Sequence, residues 1–317
     1  MIISFIQQSV RYAVALLFGA TGEIITEKSG HLNLGTPGIM CMGAFGGCLG
    51  VSLYATIAGG VAGMSGILTI LFAILFAFLF AALGGMIYCF LTVSLRANQN
   101  ITGLALTSFG LGFCKFFLSD NTVYSTVSSF FKASLPYEKL GTFGELVLSY
   151  GPLVYLSIVI ALLTAFVLRK TRAGLHLSAV GENPATADAA GINVSAYKYL
   201  STVIGCGIAG LGGMFYIFDM RSGTSVTLTM TDIEAIGWLA VALVIFSVWR
   251  PNLAILGAFV FGCCARLGSI VFVIPLQLLK MAPYVITILV LIITSIFGSK
   301  NVQPPASLGL NYFREDR

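Results

Sequence analysis

The chain has 317 residues, of which 57% are hydrophobic and only 9% are charged. Soluble domains carry about 25% charged residues, so this composition excludes a soluble fold and indicates a protein embedded in a membrane. The formal net charge of +5 does not indicate nucleic-acid binding, because the basic residues stand next to the ends of apolar segments, where membrane topology accounts for them.

Apolar segments recur along the whole chain at lengths close to that of a membrane helix, which needs about 20 predominantly apolar residues. We therefore predict an all-α, polytopic membrane protein with about 8–10 spans, built as a single transmembrane domain over residues 1–317. In chain order the candidate spans are Phe5–Ile25, Gly35–Thr56, Gly66–Ser94, Ile101–Leu118, Gly151–Leu168, Tyr199–Phe218, Ile233–Val248, Leu253–Phe272 and Tyr284–Phe297.

The second candidate span is rich in residues that interrupt helices. Gly35, Pro37 and Gly38 stand at its start and further glycines follow. We expect a kinked or discontinuous helix, which is tolerated where neighbouring helices or a cavity satisfy the backbone. The sixth span carries Gly205-x-x-x-Ala209, a spacing of small residues that allows close helix–helix approach and predicts a tightly packed bundle.

The polar segment 119–150 separates the fourth and fifth spans, and the distribution of basic residues predicts that it is extracytoplasmic. Its aromatic residues Tyr124, Phe130, Phe131 and Tyr137 suit an interfacial or partner-contacting element, and a plain connecting loop explains them equally well. The same distribution predicts a cytoplasmic C-terminus, since basic residues concentrate on the cytoplasmic side of membrane proteins.

The sequence contains no motif for catalysis or cofactor binding. It lacks the G-x-x-x-x-G-K-[ST] phosphate loop, so we expect no ATP hydrolysis by this chain itself. We predict neither an enzyme nor a cofactor in this chain. The seven cysteines form no C-x-x-C pair and have no metal-ligand spacing with His31 or His176, so no metal site is predicted.

The positions of the acidic residues bear on how a membrane carrier could be driven. Ion-coupled carriers commonly place Asp or Glu inside their spans. Here the acidic residues closest to the spans are expected at or near span ends, at Glu23, Glu27, Asp219, Asp232 and Glu234. Ion coupling therefore lacks its usual ligands, and an ion-coupled secondary carrier is the less favoured alternative to a protein driven by a partner.

The stretch at about 169–198 is the one long polar segment between hydrophobic segments. Basic residues stand at both of its ends, at Arg169, Lys170, Arg172 and Lys198, and predict a cytoplasmic location. A cytoplasmic helix between two spans is the element on which a soluble motor protein could push.

Local signals predict a short helix inside this stretch. Asn183 and Pro184 form a turn and helix start, with the proline suited to the first helical position. Ala185–Ala190 is the predicted helix, and Gly191 is the predicted C-terminal cap. A short capped helix of small residues fits a groove on another protein, although a simple amphipathic connector explains the pattern equally well on physical grounds.

The sequence AVGENPATADAAGINVSAYK resembles the cytoplasmic coupling segment of ABC-importer permeases of the branched-chain amino acid, ribose and nucleoside type. Those permeases follow the loose pattern A-x-G-x-N-x-x-A-A-x-x-x-G-I-x-V-x-x-x-K, from which this chain departs at Thr186. The matching residues are Ala179, Gly181, Asn183, Ala187, Gly191, Ile192, Val194 and Lys198. The resemblance implies a role in coupling to an ATPase subunit for Glu182, Asn183, Pro184, Ala187, Ala189, Gly191, Ile192 and Lys198.

Three further segments resemble the nucleoside branch of that family. They are ITEKSGHLNLGTPGIMCMGAFGG, LRANQNITGLAL and GWLAVALVIFSVWRPNLAILGAFVFG, and together with the coupling segment they run from the second span to the eighth. Ser247 stands where a glycine often follows the phenylalanine in the family, so packing at that turn is expected to differ.

The resemblance implies a transmembrane permease subunit of an ABC importer in a bacterial cytoplasmic membrane, closest to those that carry nucleosides. The implied partners are an ATP-binding subunit, a second and paralogous permease subunit, an extracytoplasmic substrate-binding lipoprotein and membrane lipid. A branched-chain amino acid or sugar permease is the alternative within the family.

A nucleoside carries hydroxyl groups and base edges without net charge, so its path should present neutral hydrogen-bonding groups within the apolar bundle. The candidates are Asn33, Asn98, Gln99, Asn100 and Thr107. Burying an unpaired amide costs roughly 1–3 kcal/mol, so these groups need partners or water. The alternative is that Asn98–Asn100 cap a helix at the cytoplasmic interface.

Overall fold

The computed structural model describes residues 2–134, 141–267, 275–297 and 303–313. These residues form helices and connections and contain no β-strand, which confirms the predicted all-α class. In chain order the helices are α1 (Ile2–Glu27), α2 (Thr36–Ile57), α3 (Gly66–Cys89), α4 (Gln99–Phe117), α5 (Thr122–Phe131), α6 (Gly141–Val147), α7 (Pro152–Lys170), α8 (Arg172–Glu182), α9 (Pro184–Ala189), α10 (Val194–Phe215), α11 (Val226–Phe246), α12 (Pro251–Arg266) and α13 (Leu276–Phe297). Two of them continue into a π-helical turn, α3 through Phe90–Ser94 and α10 through Tyr216–Met220.

Among the described residues, six helices are long and apolar enough to cross a membrane: α1, α2, α3, α7, α10 and α11, with α3 and α10 counted with their π-helical turns. The bent pair α4 and α5 adds a seventh if the two helices form one broken span. The eighth and ninth predicted segments fall on α12 and α13, and residues 268–272 of the eighth lie outside the described ranges. Every predicted span thus overlaps a helix, but within the described residues only six or seven helices are long and apolar enough to cross a membrane, fewer than the roughly 8–10 predicted.

The seventh span begins earlier than the sequence predicts. α11 starts at Val226 rather than Ile233, after Ser225 in a left-handed conformation (φ 47°), and polar residues in its first turns lower the local hydropathy. Asp232 and Glu234 therefore lie inside α11. They stand six and eight residues after its start, further from the span end than the sequence predicts.

α2 is one continuous helix over Thr36–Ile57, so the predicted break is wrong. Gly35 is its N-cap residue and Pro37 lies in its first turn, where the missing N–H removes no helical hydrogen bond. The later glycines are contact points. A Cβ on Gly38 would lie 2.5 Å from a backbone oxygen of α4, and one on Gly43 would lie 2.3 Å from the Cα of Gly210.

α10 is the centre of the bundle, with α1, α2 and α3 packed around it. A Cβ on Gly22 of α1 would lie 2.2 Å from the carbonyl oxygen of Gly205, and one on Gly213 would lie 1.9 Å from the carbonyl oxygen of Met40 in α2. These contacts confirm the close packing predicted from the small residues. Within their most apolar windows 78% of the residues of α10 but only 28% of those of α3 are buried, so α3 presents most of its surface outward.

The segment 119–150 is more ordered than a plain loop. α4 and α5 meet at an angle of 115°, and α5 turns back against the bundle. Tyr124 and Phe131 are buried and pack against Phe218, with the Phe131 and Phe218 rings stacked at 4.5 Å. The interfacial interpretation is wrong for Tyr124 and Phe131, because their rings fill the core between α5 and the end of α10. Phe130 is partly buried, and Tyr137 lies outside the described residues.

The contact between α2 and α10 generates a testable prediction. Gly43→Ala places a methyl group against the backbone of Gly210, and overpacking of this kind costs roughly 1–3 kcal/mol. We expect a lower Tm in detergent. Gly112→Ala in α4 is the matched control, because a Cβ there meets no atom within 4 Å. Equal thermal stability of the two variants would show that the helices can move apart freely.

Candidate functional site

The predicted short helix is present in the coupling segment, which we define as residues 172–191. Asn183 caps α9, since its Oδ1 accepts a hydrogen bond from the N–H of Thr186 at 3.0 Å, and Pro184 is its first residue. Gly191 follows the helix with φ +84° and donates its N–H to the carbonyl of Asp188 at 2.9 Å. A left-handed φ favours glycine, which explains the residue at this position.

The structure adds a longer helix to the coupling segment. α8 runs from Arg172 to Glu182, and Thr171 caps it by accepting a hydrogen bond from the N–H of Gly174 at 3.2 Å. It meets α9 at Asn183. The coupling segment is therefore a pair of consecutive helices rather than a single short one.

The residues predicted to take part in coupling to an ATPase subunit differ in exposure. Six of them are exposed or partly exposed: Glu182, Asn183, Pro184, Ala189, Gly191 and Ile192. Ala187 and Lys198 are each only 3% exposed, so any part that these two play in coupling would be indirect, and their role stays a prediction. Ala187 packs against Val180 and Val194 beneath α9, and Lys198 lies in the first turns of α10, facing a cavity.

Residues 303–313, the C-terminal segment, are hydrogen-bonded to the coupling segment. Ser307 donates its N–H to the carbonyl of Gly181 at 3.0 Å, and the Tyr312 hydroxyl donates to Asp188 at 2.8 Å. At the other side, Gly309 donates its N–H to the carbonyl of Gly30 at 3.1 Å. This element could not be predicted from the sequence, because it has no periodic hydrophobic pattern and its partners lie far away in the chain.

A polar cavity of about 350 Å³, the proximal cavity, lies between the coupling segment and the C-terminal segment. His31, Thr92, Lys198 and Asn311 contribute to its lining. The Nδ1 atom of His31 is 3.0 Å from the hydroxyl of Thr202. Burial, assisted by the Lys198 charge, lowers the pKa of His31 well below its ordinary value, so the imidazole is neutral at physiological pH.

Three of the five predicted substrate-path residues hold the connection between α1 and α2. The amide of Gln99 accepts a hydrogen bond from the N–H of Leu32 at 2.9 Å, and the Thr107 hydroxyl donates to the carbonyl of Leu34 at 2.9 Å. The side-chain oxygen of Asn33 accepts from the N–H of Gly35 at 3.0 Å. All three side chains are buried, and these bonds give them a structural use.

The other two path candidates stand at the start of α4. Asn98 is its N-cap, because its Oδ1 accepts hydrogen bonds from the N–H groups of Asn100 and Ile101 at 3.0 and 3.1 Å. Asn100 is exposed in the first turn. The capping interpretation is confirmed for Asn98. Substrate contact by any of the five residues stays a prediction that the geometry does not favour.

A second and larger cavity, the distal cavity, has a volume of about 630 Å³. It lies far from the coupling segment, because Tyr216 in its wall is 22 residues along the helix from Val194, or about 33 Å at 1.5 Å per residue. Five helical elements contribute side chains, including Tyr12, Tyr216, Asp232, Arg266 and Tyr284. Asp232 accepts a hydrogen bond from Arg221 and is 3.4 Å from the Tyr216 hydroxyl.

The distal cavity could not be predicted from the sequence, for two reasons. Asp232 is expected near a span end, whereas it lies inside α11. The tyrosines stand in α1, in the π-helical turn after α10 and in α13, so no local spacing relates them. A tyrosine in each of three spans does not by itself indicate a site. The three side chains come together only when the helices are packed.

Known proteins resemble this chain over nearly its full length. The family of the branched-chain amino acid transport system / permease component matches residues 5–293. The nucleoside ABC transporter permease protein NupC of Lactococcus lactis is 32% identical, with 96% of this chain and 94% of that protein covered. The guanosine ABC transporter permease protein NupQ of Bacillus subtilis is 30% identical, with 96% and 95% covered. The permease protein TsgC13 of Haloferax volcanii, provisionally assigned to a glucose ABC transporter, is 32% identical, with 80% and 73% covered.

These similarities include the segments on which the sequence resemblance depends. The family match extends from α1 into α13 and contains the whole coupling segment. A membrane permease family agrees with the membrane helices of the structure. The chain therefore belongs to the permease family of the branched-chain amino acid transport system.

Proposed function

We propose that this permease imports nucleosides, driven by ATP hydrolysis in a partner subunit and supplied by an extracytoplasmic substrate-binding protein. The observation that carries the proposal is the similarity, over 94% and 95% of their own lengths, to permeases named for nucleosides and for guanosine. ATP hydrolysis belongs to the partner in this proposal, because the sequence has no phosphate loop.

The coupling segment is the proposed docking surface for the ATP-binding subunit. α9 exposes Ala185, Thr186 and Ala189, small side chains that permit close approach of a partner. Ala187 faces inward and joins α9 to α8 and α10. A force on α9 would therefore move α8 and the start of α10 with it.

The C-terminal segment extends this mechanical connection to other helices. Asn311 donates hydrogen bonds to the carbonyls of Arg96 and Ala97, in the connection between α3 and α4, at 2.9 and 3.2 Å. The bond from Gly309 reaches Gly30, just after α1. Docking at α9 would thus act on the ends of α1, α3 and α10 together. Rocking of such packed elements between two arrangements is a known type of switching transition.

Charge supports a cytoplasmic location for the coupling segment. The connections at that end carry Lys28, Arg96, Arg169, Lys170, Arg172 and Arg250, as expected for the cytoplasmic side of a membrane. The C-terminal segment lies at the same end, since it bonds to Gly181 and Asp188. We therefore place the C-terminus in the cytoplasm of a bacterial cell.

A second permease subunit completes the proposed importer. α3 and α7 bury only 28% and 33% of their most apolar windows, so both present apolar surface to lipid or to a second, paralogous permease. The substrate-binding lipoprotein would dock at the opposite end from the coupling segment, near α5 and the distal cavity.

A sugar permease is the second candidate, because the glucose-assigned relative is 32% identical. A branched-chain amino acid permease is the further alternative within the family. The positions of the acidic residues do not exclude ion coupling, since Asp232 and Glu234 lie inside α11. The near full-length family match is what favours an ABC permease over an ion-coupled carrier.

The first test concerns the docking surface. Ala189→Trp adds bulk to the exposed side of α9, and a clash in a packed contact costs roughly 1–3 kcal/mol. We expect about tenfold weaker association with the ATP-binding subunit, measured by co-purification, with normal membrane insertion. Ala133→Trp is the matched control, because this alanine is exposed after α5, far from α9. Unchanged association of the Ala189 variant would remove α9 from the interface.

Labelling of single cysteines checks the orientation. Ala189→Cys and Thr126→Cys, each in a background without native cysteines, place exposed thiols at the two ends of the bundle. A membrane-impermeant thiol reagent should label Thr126→Cys in intact cells and Ala189→Cys only in inverted vesicles, because the bundle separates the two positions. Labelling of both from one side would contradict the proposed topology.

Substrate class is tested by uptake in a strain that lacks the permease gene, with and without the gene restored. We expect restored uptake of labelled uridine and guanosine, and no gain for glucose or leucine, because both nucleoside-named relatives cover nearly the whole chain. Restored glucose uptake alone would support the second candidate. Restored leucine uptake alone would support a branched-chain amino acid permease.

A further inference from the structure

We infer that the distal cavity is the site at which the permease binds a nucleoside, with the tyrosine rings against the base and Asp232 bonded to the ribose diol. The inference rests on the proposed function, since it names the contacts of the proposed substrate. It assigns substrate contacts to residues for which neither the sequence nor the similarity to other permeases indicates such a role.

The size of the cavity fits a small organic substrate. Its volume of about 630 Å³ lies inside the range of roughly 300–1,000 Å³ that is usual for ligand sites. The cavity lies at the end of the bundle opposite the coupling segment. A substrate released by an extracytoplasmic binding protein would therefore reach it first.

Three tyrosines from separate elements provide the flat surfaces that a nucleobase needs. Tyr12 comes from α1, Tyr216 from the π-helical turn after α10, and Tyr284 from α13. Arg266 lies over the ring of Tyr12 and Arg221 over that of Tyr216, each 5.8 Å from the ring centroid. Aromatic rings stack on all bases, because every base has a π face.

Asp232 provides the hydrogen-bond acceptor for the sugar. Its Oδ2 atom accepts from Arg221 and faces the Tyr216 hydroxyl, while Oδ1 has no hydrogen-bond partner among the described residues. The side chain is 42% exposed, so Oδ1 can be reached by a ligand. Acidic side chains bind ribose hydroxyls in dinucleotide sites by the same chemistry.

The charged groups of the cavity already interact within the protein. Arg221 is paired with Asp232 and Arg266 lies over the ring of Tyr12, so the wall does not require a charged ligand. A zwitterionic amino acid could satisfy both charges, but it would leave three tyrosine rings without a matching planar group. A nucleoside satisfies the rings and the acceptor together and carries no net charge.

The position of Tyr216 connects this site to the coupling segment. Tyr216 begins the π-helical turn that continues α10, and α10 begins three residues after Gly191. π-helical turns within α-helices occur frequently at functional sites. One helix thus contacts substrate at one end and the ATPase-docking segment at the other.

The experiment is photo-crosslinking of 5-iodouridine to the purified permease–ATPase complex in detergent, without the binding protein. The label should map to peptides that contain Tyr12, Tyr216 or Tyr284. Uridine should compete about tenfold better than 2′,3′-dideoxyuridine, because only uridine carries the diol and a hydrogen bond to a charged group is comparatively strong. Labelling confined to other peptides would overturn the inference.

Two variants separate the roles of base and sugar. Asp232→Asn should abolish the advantage of uridine over 2′,3′-dideoxyuridine while crosslinking persists. Tyr284→Ala, at a ring that is 42% exposed, should weaken competition by both compounds to the same extent. Asp120→Asn is the control, an exposed acid at the same end of the bundle and outside the cavity lining. Retention of the uridine advantage in Asp232→Asn would overturn the assignment of the ribose contact.

Uptake distinguishes failure of this inference from failure of the proposed function. Normal uridine uptake with no label at the three tyrosines would overturn the site and leave nucleoside transport intact. Absence of uridine uptake together with glucose or leucine uptake would overturn the nucleoside assignment itself, and the inference with it.

Discussion

Helix α10 touches α1, α2 and α3 through backbone atoms, because glycines stand at the crossing points. Gly205, Gly210 and Gly213 leave no room for a Cβ on either side of these contacts. Within lipid the burial of apolar side chains gives little driving force, so close van der Waals packing must hold the helices together. The remaining elements are placed relative to this inner group of four helices.

Polar groups at the coupling end complete the arrangement. The connection between α1 and α2 is held by Gln99, Asn33 and Thr107, and the indole N–H of Trp249 donates a hydrogen bond to Glu27. Unpaired polar groups in such surroundings would cost free energy, so these contacts specify one position for the connection. Gln99 and Asn33 therefore have a structural role, because their hydrogen bonds hold this connection in place.

Features encoded by neighbouring residues could be predicted from the sequence. Asn183, Pro184 and Gly191 define α9 through local hydrogen bonds and backbone preferences, and the structure matches that prediction. The break predicted in α2 was wrong because glycine has two uses, as an interruption and as a contact surface. Composition alone does not distinguish between them.

Features that depend on distant contacts could not be predicted. The distal cavity needs five helical elements in their final positions, and the fold-back of α5 depends on Phe131 meeting Phe218. The start of α11 was misplaced because its first turns are polar, although the helix itself is continuous. These misses have a common origin in tertiary packing, which hydropathy does not record.

The bonds from Ser307 to Gly181 have a consequence for biogenesis. The two residues are 126 positions apart, and α10 to α13 lie between them in the chain. During translation α8 and α9 leave the ribosome well before the C-terminal segment that forms hydrogen bonds with them. A nascent permease therefore displays the proposed docking surface in unfinished form until its last helices have been made. Under that proposal, assembly with the ATP-binding subunit is favoured for chains whose membrane insertion is complete.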